Sequence, residues 1–124
     1  MMLRRIDQRL VEDGASKREW YQSPLLDLFV WYDASGRIIS FQLSYDKQRT
    51  EKLCLWKSGG RLACYEVEPG DNPGGYSRSP VLRQQVPCQL TPLHGVFADQ
   101  SGHLPASLRQ LIDDVLRTEI GRLE

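Results

Sequence analysis

Residues 27–46, DLFVWYDASGRIISFQLSYD, constrain the fold more than any other stretch of the chain. Aromatic and β-branched residues fill two runs, and a short polar segment that ends at Gly36 separates them. This pattern predicts two antiparallel strands joined by a tight turn, with Gly36 in the left-handed conformation. The apolar side of such a hairpin must be covered by another layer, which the rest of the chain has to supply.

Two registers of this hairpin fit the sequence. Pairing Asp33 with Arg37 places Phe29 on the face of Phe41, whereas a slip of one residue places Val30 there instead. In both registers the returning strand buries the same side chains, those of Ile39, Phe41 and Leu43. The sequence therefore predicts the buried side of the second strand and leaves that of the first strand open.

A second hairpin follows, in which TEKLCLW and RLACYEV flank the turn KSGG. This turn places Cys54 opposite Cys64 and Lys52 opposite Glu66. The other side of the hairpin is the more apolar one and carries Leu53, Leu55, Ala63, Tyr65 and Val67. After a loop rich in Gly and Pro, PVLRQQV adds a further strand at an edge of the sheet.

The period of the apolar residues changes near residue 91. Thr91 as N-cap and Pro92 at the first helical position predict a short helix that ends near Gly102. From Pro105 to Arg122, apolar residues recur at spacings of three and four, which predicts a long helix with one buried stripe. In the first 24 residues, Leu3, Ile6, Leu10 and Val11 fit a helix, RRIDQRLV fits an edge strand equally well, and Trp20 and Tyr21 resume an extended segment. Strands followed by helices predict a single α+β domain over residues 1–124, an antiparallel β-meander sheet of about five strands with a short and a long C-terminal helix packed on one face.

Composition excludes several classes of function. The chain of 124 residues has 16 basic and 16 acidic side chains, which argues against binding to nucleic acid or to an anionic membrane. No apolar run is long enough to span a membrane, and no signal peptide is visible, so we expect a cytoplasmic protein. Its three cysteines stand at unrelated spacings, and we expect them to be reduced.

Cysteines and histidines are the first candidates for chemistry. Cys54 and Cys64, opposed across two strands, form a candidate redox pair, although buried thiols more commonly fill space in a core. His94 and His103 fit no zinc-binding spacing, and Cys88 is the nearest thiol in sequence. We therefore predict no metal and no cofactor.

Polar and aromatic side chains give two other candidate sites. Asp27 interrupts an apolar strand and needs a hydrogen-bond donor if it is buried. Together with Tyr45 and His94, it is a candidate ligand-binding group of a pocket between sheet and helices, under the loop of residues 69–80. Trp56, with Leu62 beside it, is a candidate interface residue if it lies on the sheet face opposite the helices. No catalytic motif is present, so no catalytic residue is predicted.

Residues 27–56, DLFVWYDASGRIISFQLSYDKQRTEKLCLW, resemble the central part of small bacterial proteins of unknown function, chiefly through the FQLSYDK segment. The resemblance implies a bacterial cytosolic setting and brings no activity. The sequence thus favours a small non-enzymatic protein that acts through its surface, as a homodimer or with a protein partner. The alternative is a small-molecule binder or enzyme with a pocket under residues 69–80.

Overall fold

The computed structural model of the protein describes residues 2–6, 12–13, 16–47, 51–67 and 82–123. Eight strands precede two helices: β1 Arg4–Arg5, β2 Glu12–Asp13, β3 Ser16–Gln22, β4 Asp27–Tyr32, β5 Ile38–Tyr45, β6 Lys52–Lys57, β7 Ala63–Val67, β8 Leu82–Val86, α1 Leu90–Gln100 and α2 Ala106–Leu123. The predicted α+β arrangement, with an antiparallel sheet before two helices, is confirmed. The loop predicted to act as a lid, residues 69–80, lies outside the described residues.

The sheet is a meander in which each strand from β3 to β8 pairs with the next strand along the chain. Both β1 and β2 pair with β3, so the described strands occupy seven positions, β1-β3-β4-β5-β6-β7-β8, rather than five. The additional positions come from the first 22 residues. The ambiguous start of the chain contains the strand β1, and β3 pairs Trp20 with Phe29 and Tyr21 with Leu28, in the segment that was predicted to be extended.

The turn between β4 and β5 has the predicted form. The backbone N–H of Asp33 donates to the Arg37 carbonyl at 2.9 Å, and that of Gly36 donates to the Asp33 carbonyl at 3.0 Å. Gly36 has φ 88°, the left-handed conformation that glycine adopts without steric cost. The Asp33 carboxylate accepts a hydrogen bond from the Ser35 hydroxyl at 2.7 Å and others from the backbone N–H groups of Arg37 and Ser35, and together these lower its pKa.

A β-bulge separates this turn from the rest of the hairpin. Next to the turn, Tyr32 pairs with Ile38, but one step further Val30 pairs with Phe41. Ile39 is the extra residue on β5, so the register changes by one at this point. Each of the two predicted registers therefore holds in part of the hairpin, and the slipped register holds over most of its length.

Both helices pack on the same face of the sheet, here called the inner face. Its buried side chains, including Leu28, Val30, Phe41, Leu43, Cys54 and Cys64, share one core with Leu93, Phe97, Leu108, Ile112 and Leu116 of the helices. Those α2 residues follow the predicted spacing of four. The other face, the outer face, carries Arg18, Trp20, Asp27, Phe29, Trp31, Ser40, Gln42, Ser44, Leu53, Leu55, Ala63 and Tyr65.

The start of α1 differs from the sequence-based prediction. The N-cap residue is Gln89, which makes no side-chain capping bond, so the assignment of Thr91 as N-cap is wrong. The first helical residue, Leu90, is buried against the core and only 3% exposed. We attribute the earlier start to this burial, which stabilises the two residues before Pro92, the predicted first helical residue, in helical conformation.

Glu119 joins α2 to the turn between β6 and β7. Its side chain is 8% exposed and accepts a hydrogen bond from the backbone N–H of Leu62 at 2.9 Å. The guanidinium of Arg61 lies 3.1 Å from the same carboxylate, and that of Arg122 lies at 3.3 Å. This buried acid, which sequence reasoning did not single out, thereby has donors for both of its oxygens.

Candidate functional site

An aromatic strip crosses β3 and β4 on the outer face. It consists of Trp20, Phe29 and Trp31, with ring centroids 5.4 Å apart between Trp20 and Phe29 and 6.2 Å apart between Phe29 and Trp31. The guanidinium of Arg18 lies 5.6 Å from the centre of the Phe29 ring, within the range of a cation–π contact. All four side chains are partly exposed, so this strip presents aromatic surface to the surroundings.

The outer face continues from the aromatic strip across the sheet. Phe29 lies beside Gln42, which is followed by Leu55 and then Ala63 on neighbouring strands. The sequence predicted that Leu55 and Ala63 share the more apolar side of their hairpin, and they do. It did not place the aromatic strip there, because the bulge at Ile39 decides which side of β4 faces the helices.

Asp27 lies at one end of the outer face and has two partners. Trp20 Nε1 donates to Asp27 Oδ1 at 3.4 Å, and Lys47 Nζ lies 3.2 Å from Asp27 Oδ2. Lys47 also donates to the carbonyl of Ser23 at 3.0 Å. Through Trp20 and Lys47, the charge of Asp27 is compensated within the fold, as a structural role requires. The pKa of the neighbouring Glu51 is raised, chiefly by burial and to a lesser extent by the Asp27 carboxylate.

A cleft of about 330 Å³ lies between the end of β5 and α1, and the buried Tyr45 is one of its walls. Burial is the main cause that raises the pKa of Tyr45. Its Oη has no hydrogen-bond partner among the described residues, although the Gln89 backbone and the Cys54 thiol lie near it. The cleft is lined by Leu25, Leu26, Tyr45, Asp46, Lys47, Gln89, Pro92, Leu93 and Val96.

The three predicted ligand-binding groups do not meet in this cleft. Tyr45 lines it, whereas Asp27 is connected to it only through Lys47. His94 points elsewhere: its Nε2 lies 2.7 Å from Asp113 Oδ1, which joins α1 to α2. The second carboxylate oxygen of Asp113 forms an ion pair with Arg117, one helical turn further along α2, at 2.9 Å.

Trp56 was predicted as an interface residue on the condition that it lies on the sheet face opposite the helices. It lies on the inner face, together with the helices, so this condition is not met. Its ring stacks on Phe41 with centroids 5.4 Å apart. Leu62 is 8% exposed and belongs to the same core. The two residues border a cleft of about 160 Å³ against Val115 and Thr118 of α2. The tryptophans of the outer face are instead Trp20 and Trp31.

The three cysteines gather at the inner face. Cys54 pairs with Cys64 across β6 and β7, in the predicted register. Cys64 forms a disulfide with Cys88, with Cα atoms 5.3 Å apart, so the expectation of three reduced thiols does not hold in this structure. Cys54 keeps a free, buried thiol whose Sγ lies 2.9 Å from that of Cys64. No local pattern predicted the pairing of Cys64 with Cys88, because the two residues are 24 positions apart in the chain.

Burial also decides how reactive the free thiol is. It raises the pKa of the Cys54 thiol to about 12, so very little thiolate forms near neutral pH. Because the thiolate is the nucleophile in disulfide exchange, attack of Cys54 on the neighbouring disulfide is slow. Redox chemistry that begins at Cys54 and Cys64 remains a prediction, now with Cys88 as a third participant.

Comparison of the chain with protein-family models, with curated proteins and with solved structures finds no match. In the described part of the chain, neither helix is long and apolar enough to cross a membrane.

Proposed function

We propose that the protein is a non-enzymatic binding protein that acts through the outer face of its sheet, by pairing with a second copy of itself or with another protein. The observation that supports this function is the partly exposed aromatic strip of Trp20, Phe29 and Trp31 beside Arg18. Aromatic residues and arginine are enriched at protein interfaces. A cytoplasmic, bacterial setting is part of this proposal.

Charge favours a protein over a nucleic acid as the occupant of the outer face. Proteins that stack single-stranded bases on aromatic rings add a basic groove that follows the phosphates. Here 16 basic side chains are balanced by 16 acidic ones over the whole chain. The same neutrality means that two copies of the chain do not repel each other through their net charge.

The size of the outer face indicates how tightly two copies would bind. Six strands at ~4.8 Å and six residues at ~3.3 Å give a face of roughly 29 by 20 Å, or about 600 Å². Leu53 and Ser44 of this face are already buried, at 1% and 5% exposed, so two such faces would bury at most about 1,200 Å², which is the lower limit for specific protein interfaces. We therefore expect a weak, reversible dimer rather than an obligate one.

The first test is the double variant Phe29→Ser, Trp31→Ser, studied by sedimentation equilibrium over a wide range of concentrations. The wild type is expected to show a reversible monomer–dimer equilibrium, and the variant to dissociate at least ~30-fold more readily, because two central aromatic contacts of about 1 kcal/mol or more each are lost. The matched control is Leu25→Ser, which removes an apolar side chain that is 37% exposed and lies off the outer face.

Two results would count against self-association through the outer face. One is a wild-type protein that stays monomeric at millimolar concentration, which would leave a different protein as the occupant. The other is a dimer that the Leu25 variant weakens as much as the double variant does. Circular dichroism of each variant shows whether the fold is retained.

A second candidate function is small-molecule binding in the Tyr45 cleft. The observation that favours it is Tyr45, which lines the cleft and whose buried hydroxyl lacks a partner among the described residues. A ligand with an apolar body and one polar group would match Leu93 and Val96 of the lining, with its polar group directed toward Tyr45. The loop of residues 69–80 remains the proposed lid.

Mass spectrometry of protein purified under native conditions tests this second function. A ligand in the cleft is expected to appear as an added mass in the native spectrum that disappears on denaturation, and to be reduced or absent in Tyr45→Phe. A native mass equal to the bare chain would count against a tightly held ligand. The Tyr65→Phe variant is the control, because Tyr65 lies on the outer face.

A further inference from the structure

All three cysteines of the chain converge on one point of the fold, although they belong to three different segments. Cys54 lies on β6, Cys64 on β7 and Cys88 just before α1, and their sulfur atoms all lie within 4.8 Å of one another. Cys54 and Cys64 are buried, and Cys88 is partly exposed. The cluster thus has a sheltered interior and one side that an ion can enter.

A disulfide alone does not explain this arrangement. The bond between Cys64 and Cys88 uses two sulfur atoms, yet the third lies 2.9 Å from Cys64 and is buried with it. A small apolar side chain would fill the position of Cys54 equally well. Disulfides are also uncommon in the cytoplasm, where thiol reductants keep cysteines reduced. In that setting the cluster would present three thiols to a common centre.

We propose that the reduced protein binds one soft, thiophilic metal ion through Cys54, Cys64 and Cys88. A cellular dithiol first transfers two electrons and two protons to the Cys64–Cys88 disulfide and becomes a disulfide itself. The three thiols then release three protons, and three metal–sulfur bonds form. Zinc(II), cadmium(II) and copper(I) belong to the class of ions that such all-sulfur sites select.

The sulfur positions are close to those that this site requires. A metal–sulfur bond of about 2.3 Å places the sulfur atoms of one site about 4 Å apart. The three sulfur atoms already lie within 4.8 Å of one another, with Cys54 and Cys64 at 2.9 Å. Once the disulfide is reduced, rotation about the side-chain bonds separates the sulfur atoms enough to admit an ion. The three backbone segments need not move far.

Cadmium(II) titration of the reduced protein tests the proposal. The protein is reduced with a phosphine, freed of reductant without air, and titrated while the sulfur-to-cadmium charge-transfer absorbance and the native mass are recorded. One cadmium ion per chain is expected, together with an absorbance that reflects three thiolates. Cys54→Ser is expected to lose about a third of that absorbance and to bind at least ~10-fold more weakly, as loss of a ligand typically does.

The oxidised wild type is the matched control, because its disulfide leaves Cys54 as the free thiol. It is expected to bind no cadmium. If Cys54→Ser does not fold, the unfolding temperature of the wild type with and without zinc(II) gives the second measurement, and a rise of several degrees in the reduced form alone is expected. The proposal is overturned if the reduced protein binds neither ion, or if Cys54→Ser binds cadmium as tightly as the wild type. Neither result bears on the outer face, since no cysteine lies there.

Discussion

Replacing Phe41 with alanine is expected to lower the free energy of unfolding by about 3–5 kcal/mol. The Phe41 side chain is fully buried on the inner face, where it pairs with Val30 and stacks on Trp56. Without the ring, the sheet and helices would enclose a cavity, since neighbouring side chains collapse only in part. Urea denaturation followed by circular dichroism measures this loss.

Phe29→Ala is the matched control for this experiment. Phe29 is the same type of residue on the same hairpin, but it lies partly exposed on the outer face, so its loss is expected to cost only about 1 kcal/mol. A cost for Phe29 as large as that for Phe41 would mean that the register next to the turn extends through the whole hairpin, because that register places both rings on the same buried face. That result would contradict the bulge at Ile39.

Above pH 10 the protein is expected to lose stability because of two tyrosines at the edge of the inner face. Burial, together with the Glu19 carboxylate, raises the pKa of Tyr21 from 10.0 to about 12 and also raises the pKa of Tyr32. The unfolded chain therefore releases these protons at lower pH than the folded chain does. Their contribution to stability is complete below pH 10 and is lost as the pH rises toward 12, by roughly 3 kcal/mol for Tyr21.

Urea denaturation at a series of pH values from 8 to 11 measures this effect. The Tyr21→Phe variant is expected to lose stability less steeply than the wild type above pH 10. Glu19→Gln, which removes the carboxylate that accepts the Tyr21 hydrogen bond at 3.2 Å, is expected to lower the folded-state pKa of Tyr21 toward 10, so the loss of stability above pH 10 becomes smaller and ends at lower pH. If the free energy of unfolding falls equally steeply with pH in the wild type and in Tyr21→Phe, ionisation of Tyr21 is not the cause of the loss.

The two hairpins show which features the sequence determines. The residues around the turns predicted the left-handed Gly36 and the pairing of Cys54 with Cys64, because turn geometry depends on a few adjacent residues. The buried side of β4 could not be predicted in the same way. It depends on the bulge, where the carbonyl of Ile39 accepts a hydrogen bond from the backbone N–H of Ser58 at 2.8 Å. That contact joins residues far apart in the chain.

The candidate sites were predictable to different degrees for the same reason. Leu55 and Ala63 were placed on one face because both belong to one hairpin. The aromatic strip was missed, since it requires the pairing of β3 with β4, which brings Trp20 beside Phe29. Cys88 was missed because it meets Cys64 through the pairing of β8 with β7. Local patterns predicted elements and turns, and tertiary pairing determined which residues meet.

The bulge at Ile39 has a consequence for how the sequence of this protein can change over evolution. It divides the β4–β5 hairpin into a tip, where Asp33 meets Arg37, and a body, where Val30 meets Phe41. In a regular hairpin, loss of one residue near the turn would exchange the buried and exposed side chains of a whole strand. Here the extra residue can absorb such a loss, so the tip can lose one residue in length while the body keeps its aromatic strip on the outer face.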